Sequence, residues 1–502
     1  MKEDSRTPQP QRDGRQTNRP LVLAAIMLAT FMGAIEATIV STAMPEIVGD
    51  LGGFSLYSWV FSAYLLMNAV TVLIYGKLAD LFGRKPILIF GITIFLIGSV
   101  LCGFAQSMEM LVLFRFIQGF GAGAVMPIAT TIVGDIYSKE ERAKIQGYLS
   151  SVWGISAISG PAIGGLLVEY VSWRYVFWIN IPLGFLAIAG ICFFLYENVE
   201  KKKHRIDYSG AILLTIAVST LMILLVEGGV NIDWTSSLGI VLVLASIIAI
   251  VLFVLNEQRA AEPMMPFSIW RERSILVANL TSLVTGIILI GISSFLPAFV
   301  QGVMERSPIV AGFTLTAMSI GWPIAATFSG KLLLKIGLRM TSLFGGGSLI
   351  LGSLIFATLS PAAGPLWAAV GSFVIGVGMG LTTTAFIVSI QSTVSWEQRG
   401  AATASNSFMR NLGNTIGAAL LGGVLNSSIQ NKLSSQADLG NNEMSLDSIN
   451  SLLGESQRNQ LSPEMKLQLQ DALTSSLHTV YLVVLFFAIV SLLLILFLPK
   501  KD

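Results

Sequence analysis

Charge is what this sequence has least of. Asp, Glu, Lys and Arg make up 12% of its 502 residues, about half the share of a soluble globular chain. That excludes a water-facing surface of ordinary extent, and with it most soluble enzymes and binding modules. Cysteine is nearly absent: Cys102 and Cys192 both lie inside apolar runs and read as small packing residues rather than a disulfide or metal pair. The two histidines, His204 in a polar loop and His478 at the start of the last apolar run, have no metal-ligand spacing, so no metal site is expected. There is no Walker sequence, so ATP is not expected to drive events within this chain. Gly119, Gly121 and Gly123 follow no strand and sit in an apolar run, which rules out a dinucleotide loop. The net charge of +2 comes from basic residues confined to short loops, and implies no nucleic-acid partner.

What is abundant is apolar sequence. Hydrophobic residues account for 53% of the chain and the mean hydropathy is +0.73. Apolar stretches of 18 or more residues recur along its length, each able to cross a hydrocarbon core of roughly 30 Å. The expected fold class is an all-α polytopic membrane protein. Fourteen helices are expected, at about 20–44, 57–75, 86–105, 110–133, 144–168, 175–195, 209–227, 237–255, 274–301, 309–332, 341–359, 366–390, 401–426 and 476–498. Pro45, Pro86, Pro308 and Pro365 fall near expected helix ends, whereas Pro161, Pro182 and Pro323 fall inside spans and predict kinks. The tail 1–19 is basic, and the run after it is too long for a signal h-region.

Basic residues set the orientation. With the N-terminus inside, 24 of the 31 Lys and Arg fall in cytoplasmic segments, five fall outside, and Arg115 and Arg410 remain within spans. That asymmetry predicts both termini in the cytoplasm, with Lys201-Lys202-Lys203-His204-Arg205 as the strongest anchor. Residues 428–475 are polar and read as an external loop. Leu446, Ile449, Leu452, Leu453, Leu461, Leu467, Leu469 and Leu473 there have the spacing of short amphipathic helices on the membrane face.

The halves repeat one another. Gly76-Lys77-Leu78 with Gly83 and Arg84 matches Gly330-Lys331-Leu332 with Gly337 and Arg339. Phe116, Gly119, Gly121 and Gly123 recur as Phe373, Gly376, Gly378 and Gly380; Ser138, Glu140 and Arg142 recur as Ser395, Glu397 and Arg399; Gly165 recurs as Gly422. A duplicated six-helix unit follows, giving bundles at 20–200 and 261–502 with two helices inserted at 201–260. Two such halves suit alternating access around a central site.

Several motifs carry chemistry. In the turn after the second helix, Gly76 and Gly83 permit a tight turn, while Asp80, Arg84 and Lys85 can form a charge cluster that locks the cytoplasmic side. Glu36 is the only acid deep in the first half's spans, and an ionised carboxylate in hydrocarbon must face a cavity, pair, or take up a proton. It lies about 12 Å from its helix's outer end and Arg115 about 8 Å from its own, close enough in depth to pair. Gly160-Pro161 and Gly164-Gly165 in the fifth helix allow close backbone contact. Tyr64, Asn68, Trp153 and Trp322 fall at mid-span and are candidates to line a pocket, as is Arg410.

Taken together these motifs resemble the major facilitator superfamily. Gly76 to Pro86 resembles its signature loop, Arg115-Phe116-Ile117-Gln118-Gly119 its second motif, and Ser159 to Gly165 the motif associated with antiporters. Glu36 to Pro45, Trp173-Arg174 with Asn180-Ile181-Pro182, and Arg410 with Gly413 and Gly417 resemble the fourteen-helix drug:proton antiporter subfamily, best known from Gram-positive multidrug exporters. The first-helix acid is usually Asp there, and here it is Glu36. The resemblance implies a monomeric proton-coupled antiporter in the bacterial cytoplasmic membrane, exporting amphipathic or cationic drugs without a cofactor, powered by the proton gradient. Its partners would be small molecules, protons and membrane lipids. Glu36 and Arg115 would serve proton coupling, with Glu36 also at the substrate site. An exporter of one physiological solute, or a non-transporting sensor, remains open.

Overall fold

The computed structural model describes residues 17–137, 139–197, 207–227, 232–233, 235–260, 267–394, 399–437 and 446–499. Sixteen α-helices run through these residues: α1 (Arg19–Leu51), α2 (Tyr57–Phe82), α3 (Arg84–Gly103), α4 (Met108–Ile136), α5 (Lys139–Tyr170), α6 (Tyr175–Trp178), α7 (Asn180–Phe194), α8 (Tyr208–Glu227), α9 (Ser237–Arg259), α10 (Arg273–Ala298), α11 (Pro308–Ala357), α12 (Gly364–Thr393), α13 (Arg399–Ala437), α14 (Asn450–Leu453), α15 (Glu455–Arg458) and α16 (Pro463–Leu496). Local chemistry sets many of the ends. Ser107, Ser236 and Ser462 each accept a bond from the first turn of the helix they precede. Gly83, at φ +97°, turns α2 directly into α3.

Thirteen helical stretches are long and apolar enough to span a membrane. α11 supplies two, Pro308–Leu333 and Lys335–Ala357, and kinks near their junction at Gly337, where φ is +78°. α13 is 39 residues long but too rich in Ser, Asn and Thr to qualify by hydropathy. It nonetheless packs between α2, α8, α10 and α16 and completes the bundle. The all-α polytopic architecture is therefore formed.

Several boundaries differ from the sequence reading. α1 runs through Pro45 to Leu51 rather than stopping at 44. Within 428–475, α13 extends to Ala437 and α16 begins at Pro463, because helices continue past the apolar layer that hydropathy marks. The short helices between them do not lie on the membrane face: Ile449, Leu452 and Leu453 are buried in the protein core.

We call the face where α1 begins the tail face and the opposite one the cap face. One apolar core joins the two halves on the cap side, where Ile39, Ile47 and Tyr57 pack with Phe295, Leu315, Leu421 and Leu425. On the tail side the halves have separate cores. Val22, Leu88, Phe95 and Ile132 belong to one, and Ile275, Phe386, Ile390 and Ala402 to the other. Among the described residues, the hydrogen bonds that tie the halves follow the same division. Tyr57 Oη donates to Ser294 O (2.7 Å), Gln301 Nε2 to Thr42 O (3.0 Å) and Asn426 Nδ2 to Ser55 O (2.9 Å), all toward the cap face. The inserted pair α8 and α9 lies along the α2–α13 seam, where Leu214, Val218 and Met222 pack with Leu66, Val70, Phe408 and Met409.

Candidate functional site

Helices α1, α2, α3, α4 and α7 of the first half meet around one ion pair. Glu36 of α1 is 0% exposed and Arg115 of α4 is 2% exposed; Arg115 Nη1 donates to Glu36 Oε1. The second carboxylate oxygen accepts from Asn180 Nδ2 of α7 at 2.6 Å. Arg115 also donates to Gln118 Oε1 (2.6 Å) and, through Nε, to Val60 O (3.1 Å). Gln118 Nε2 donates in turn to Ser99 Oγ of α3 at 2.7 Å. The Tyr64 ring lies 4.2 Å from the Arg115 guanidinium carbon, and the Phe177 ring 6.0 Å. A buried charge pair holds its charge only when its remaining valences are met; here backbone, amides and aromatic faces supply them. Within this cluster, among the described residues, Asn180 Oδ1 is buried with no hydrogen-bond partner. A proton placed on Glu36 would dissolve the charge pair and leave Arg115 to Gln118 and Val60 O.

The turn after α2 sits at the tail face. Arg84 Nε is 3.1 Å from Asp135 Oδ2 at the end of α4, and its backbone N–H donates to Glu197 Oε1 at 2.8 Å. Lys85 donates to the final carbonyls of α7, Cys192 O (2.8 Å) and Leu195 O (2.7 Å), a favourable end for a cation. These contacts stay inside the first half and none reaches the second. The side chain of Asp80, and Gly76 with it, lie outside the described side chains.

The fifth-helix glycines sit where helices touch. A Cβ on Gly160 would fall 2.0 Å from Thr38 Oγ1, and one on Gly164 would fall 2.9 Å from Ile39 Cγ1, so α5 lies directly on α1. Gly165 faces the other half, 2.7 Å from Ile309 Cα by the same measure, and Gly312 faces back to Pro161 O at 2.2 Å. The repeat partner of Gly165, Gly422, stands against Ser58 Oγ at 1.8 Å. One duplicated glycine thus closes each of the two seams on the cap side.

The candidate pocket residues do not form one cluster. Tyr64 is buried against Arg115 and bonds to the half-buried Asn68, so both belong with the charge pair. Trp153 is 41% exposed on α5. Trp322 is half-buried at the edge of the shared core, and Arg410 is half-buried on α13. Sequence reasoning missed Ser99, and did not give Gln118 or Asn180 a role in the site. The available signals were the three-residue step from Arg115 to Gln118 and an amide, Asn180, opening an apolar span.

Two helical halves that share an extended core on one side, with a charge pair sealed in the membrane layer, define a membrane transporter rather than an enzyme. The Major Facilitator Superfamily model matches residues 26–418, and the chain belongs to that family. It is 36% identical over 422 residues to the "Multidrug transporter protein MdtP" of Bacillus subtilis, covering 84% of this chain and 78% of the relative. It is 34% identical over 493 residues to "Multidrug resistance protein 3" of the same organism, covering 97% and 96%. The "Efflux pump dotC" of Dothistroma septosporum is 32% identical over 418 residues, covering 80% and 72%. In fold, the chain is similar to the inward-facing, occupied structure of a bacterial homolog of the human lysosomal transporter Spinster, with a TM-score of 0.65, 17% identity, and coverage of 95% and 96%. It is also similar to the nucleoside transporter NupG, with a TM-score of 0.56, 14% identity, and coverage of 91% and 98%.

Proposed function

We propose that this chain exports small amphipathic molecules in exchange for protons by alternating access, with Glu36 as the proton carrier. The observation that carries the reading is the sealed Glu36–Arg115–Asn180 cluster, built into a bundle whose halves share an extended apolar core on the cap side. A carboxylate against a guanidinium keeps its charge; separated from it in apolar surroundings, it takes a proton. Rocking the halves changes the surroundings of α1 and α4 and so offers a means to load and release that proton. The basic-residue asymmetry supports placing the tail face, where the two halves have cores of their own, in the cytoplasm. The names of the relatives, multidrug transporter and efflux pump, support drugs as cargo.

The test is efflux from everted membrane vesicles carrying the overproduced protein. An imposed pH gradient, acid inside, should drive uptake of several unrelated dyes, and collapsing the gradient should abolish it. Transport indifferent to the gradient would reject proton exchange; gradient-driven transport of one solute alone would favour a dedicated exporter.

A further inference from the structure

Resting on the reading of this chain as an exporter of amphiphiles, we infer that Arg410 on the inward side of α13 is an anion-recognition point, so that carboxylate-bearing or otherwise anionic amphiphiles bind in preference to their neutral counterparts.

The position of Arg410 follows from the contacts around α13. Asn406, Gly413 and Gly417 touch α10: Asn406 Nδ2 donates to Ala278 O at 3.2 Å, and the two glycines lie on Leu283 and Ile287. Gly422 touches α2 at Ser58, Asn426 the turn before it at Ser55, and Gly423 lies against Leu225 of α8. At about 100° per residue, Ser407, Arg410 and Asn414 fall between the α10 side and the α2 side, away from α8. That is the direction of the bundle axis. The same stripe continues toward the cap as Leu421 and Leu425, which are fully buried in the core shared by the halves. Toward the tail, where that core ends, Ser407, Arg410 and Asn414 are each half-buried.

Arg410 lacks a counter-ion. Among the described residues it has no hydrogen bond, ion pair or ring contact. The only acid described between Arg273 and Ala437 is Glu305, which lies outside the spans and is engaged by Lys466 (2.8 Å) and Gln470 (2.6 Å). In the first half, Glu36 has both oxygens engaged by Arg115 and Asn180. The pair is neutral overall, so it offers Arg410 no free carboxylate. One turn from Arg410, Asn414 Oδ1 is buried with no donor. A guanidinium held in the membrane layer is costly unless something anionic meets it, and a planar carboxylate or phosphate fits its fork of N–H groups. A neighbouring N–H or O–H on the same ligand would satisfy Asn414.

The experiment uses three dansyl probes with the full-length protein in phosphatidylcholine nanodiscs, read by fluorescence without a pH gradient. Dansyl-leucine is anionic with an adjacent sulfonamide N–H, its methyl ester is neutral, and dansylcadaverine is cationic. Wild type should bind dansyl-leucine roughly 10- to 100-fold more tightly than the ester, the range of a charge-assisted hydrogen bond. Arg410→Gln should bring dansyl-leucine to the affinity of its ester, and Arg410→Lys should retain part of the difference. Competition by added phosphatidylglycerol would identify a lipid headgroup as the anion that takes the site; its absence would point to a free solute. Equal binding of acid and ester by wild type, or an undiminished preference in Arg410→Gln, overturns the inference. Loss of proton-driven efflux with the preference intact would instead count against the transport mechanism alone.

Discussion

A methyl group on Gly312 is expected to turn the transporter toward its cap-open state. In the structure a Cβ there falls 2.2 Å from Pro161 O and 2.8 Å from Pro161 C, backbone atoms of the opposite half that cannot move without moving α5. Real Cβ contacts are not that short, so Gly312→Ala has to push α11 away from α5. Overpacking of this kind costs about 1–3 kcal/mol. Because the contact crosses between halves, the cost falls on the state in which the cap side is closed, and the equilibrium shifts by roughly 5- to 150-fold. The assay is alkylation of a single cysteine, Leu425→Cys, which is buried in the shared core, in a background with Cys102→Ala and Cys192→Ala. Gly312→Ala should speed labelling by about the same factor. Gly121→Ala is the control: its Cβ would fall 2.2 Å from Phe95 N within the first half, so it should lower thermal stability without exposing position 425. If Gly312→Ala folds and position 425 reacts no faster than before, or if the control reacts equally fast, the reasoning about the seam is refuted.

Three further outcomes are expected. Asn180→Ala leaves Glu36 Oε2 buried without a donor, at about 1–3 kcal/mol, and should lower the midpoint of thermal unfolding in detergent. Glu197→Gln weakens the carboxylate that accepts from the N–H groups of Arg84 (2.8 Å) and Lys85 (2.9 Å); its stability loss, about 0.5–2 kcal/mol by analogy with capping, should appear in the same assay. The bond from Lys466 beside Glu305 holds the Glu305 carboxyl below the usual carboxylate range. Its contribution is therefore complete above the ordinary glutamate value of about 4.3 and is lost as pH falls through the lower folded value. The group is partly exposed, so the effect is under about 1 kcal/mol; hydrogen exchange in the first turns of α16 should rise below about pH 4, and Glu305→Gln should remove that dependence.

The sequence made the bundle legible because lipid imposes a length and a polarity on every span. It made the ion pair legible because Glu36 is an acid deep in the first half's apolar layer and Arg115 lies at a similar depth. The repeated Gly165 and Gly422 stood out as a duplication, but that each closes a seam between halves depends on long-range packing that no local pattern encodes. α13 shows the limit of hydropathy: its Ser, Asn and Thr residues, Ser407 and Asn414 among them, lower the apolar signal in a helix that packs against α2, α8, α10 and α16. The segment around Ile449 and Leu452 was misassigned for the converse reason. Apolar residues at helical spacing look the same whether they meet lipid or the junction of two halves, and here Phe54 N–H donates to Asn450 Oδ1 (3.0 Å) and Gln457 Nε2 to Gly49 O (2.8 Å) to bind the segment inward.

The most direct test of proton exchange through Glu36 is proton release on substrate binding. Purified protein in weakly buffered detergent, with a pH-indicating dye, is mixed with a transported amphiphile, and the same is done with Glu36→Gln and Glu36→Asp. Glu36→Gln keeps the shape and the contact with Arg115 but has no proton to lose. Wild type should release protons in proportion to bound substrate, Glu36→Asp should retain part of the signal, and Glu36→Gln should bind substrate with none. Proton release from Glu36→Gln equal to wild type would show that the carrier lies elsewhere.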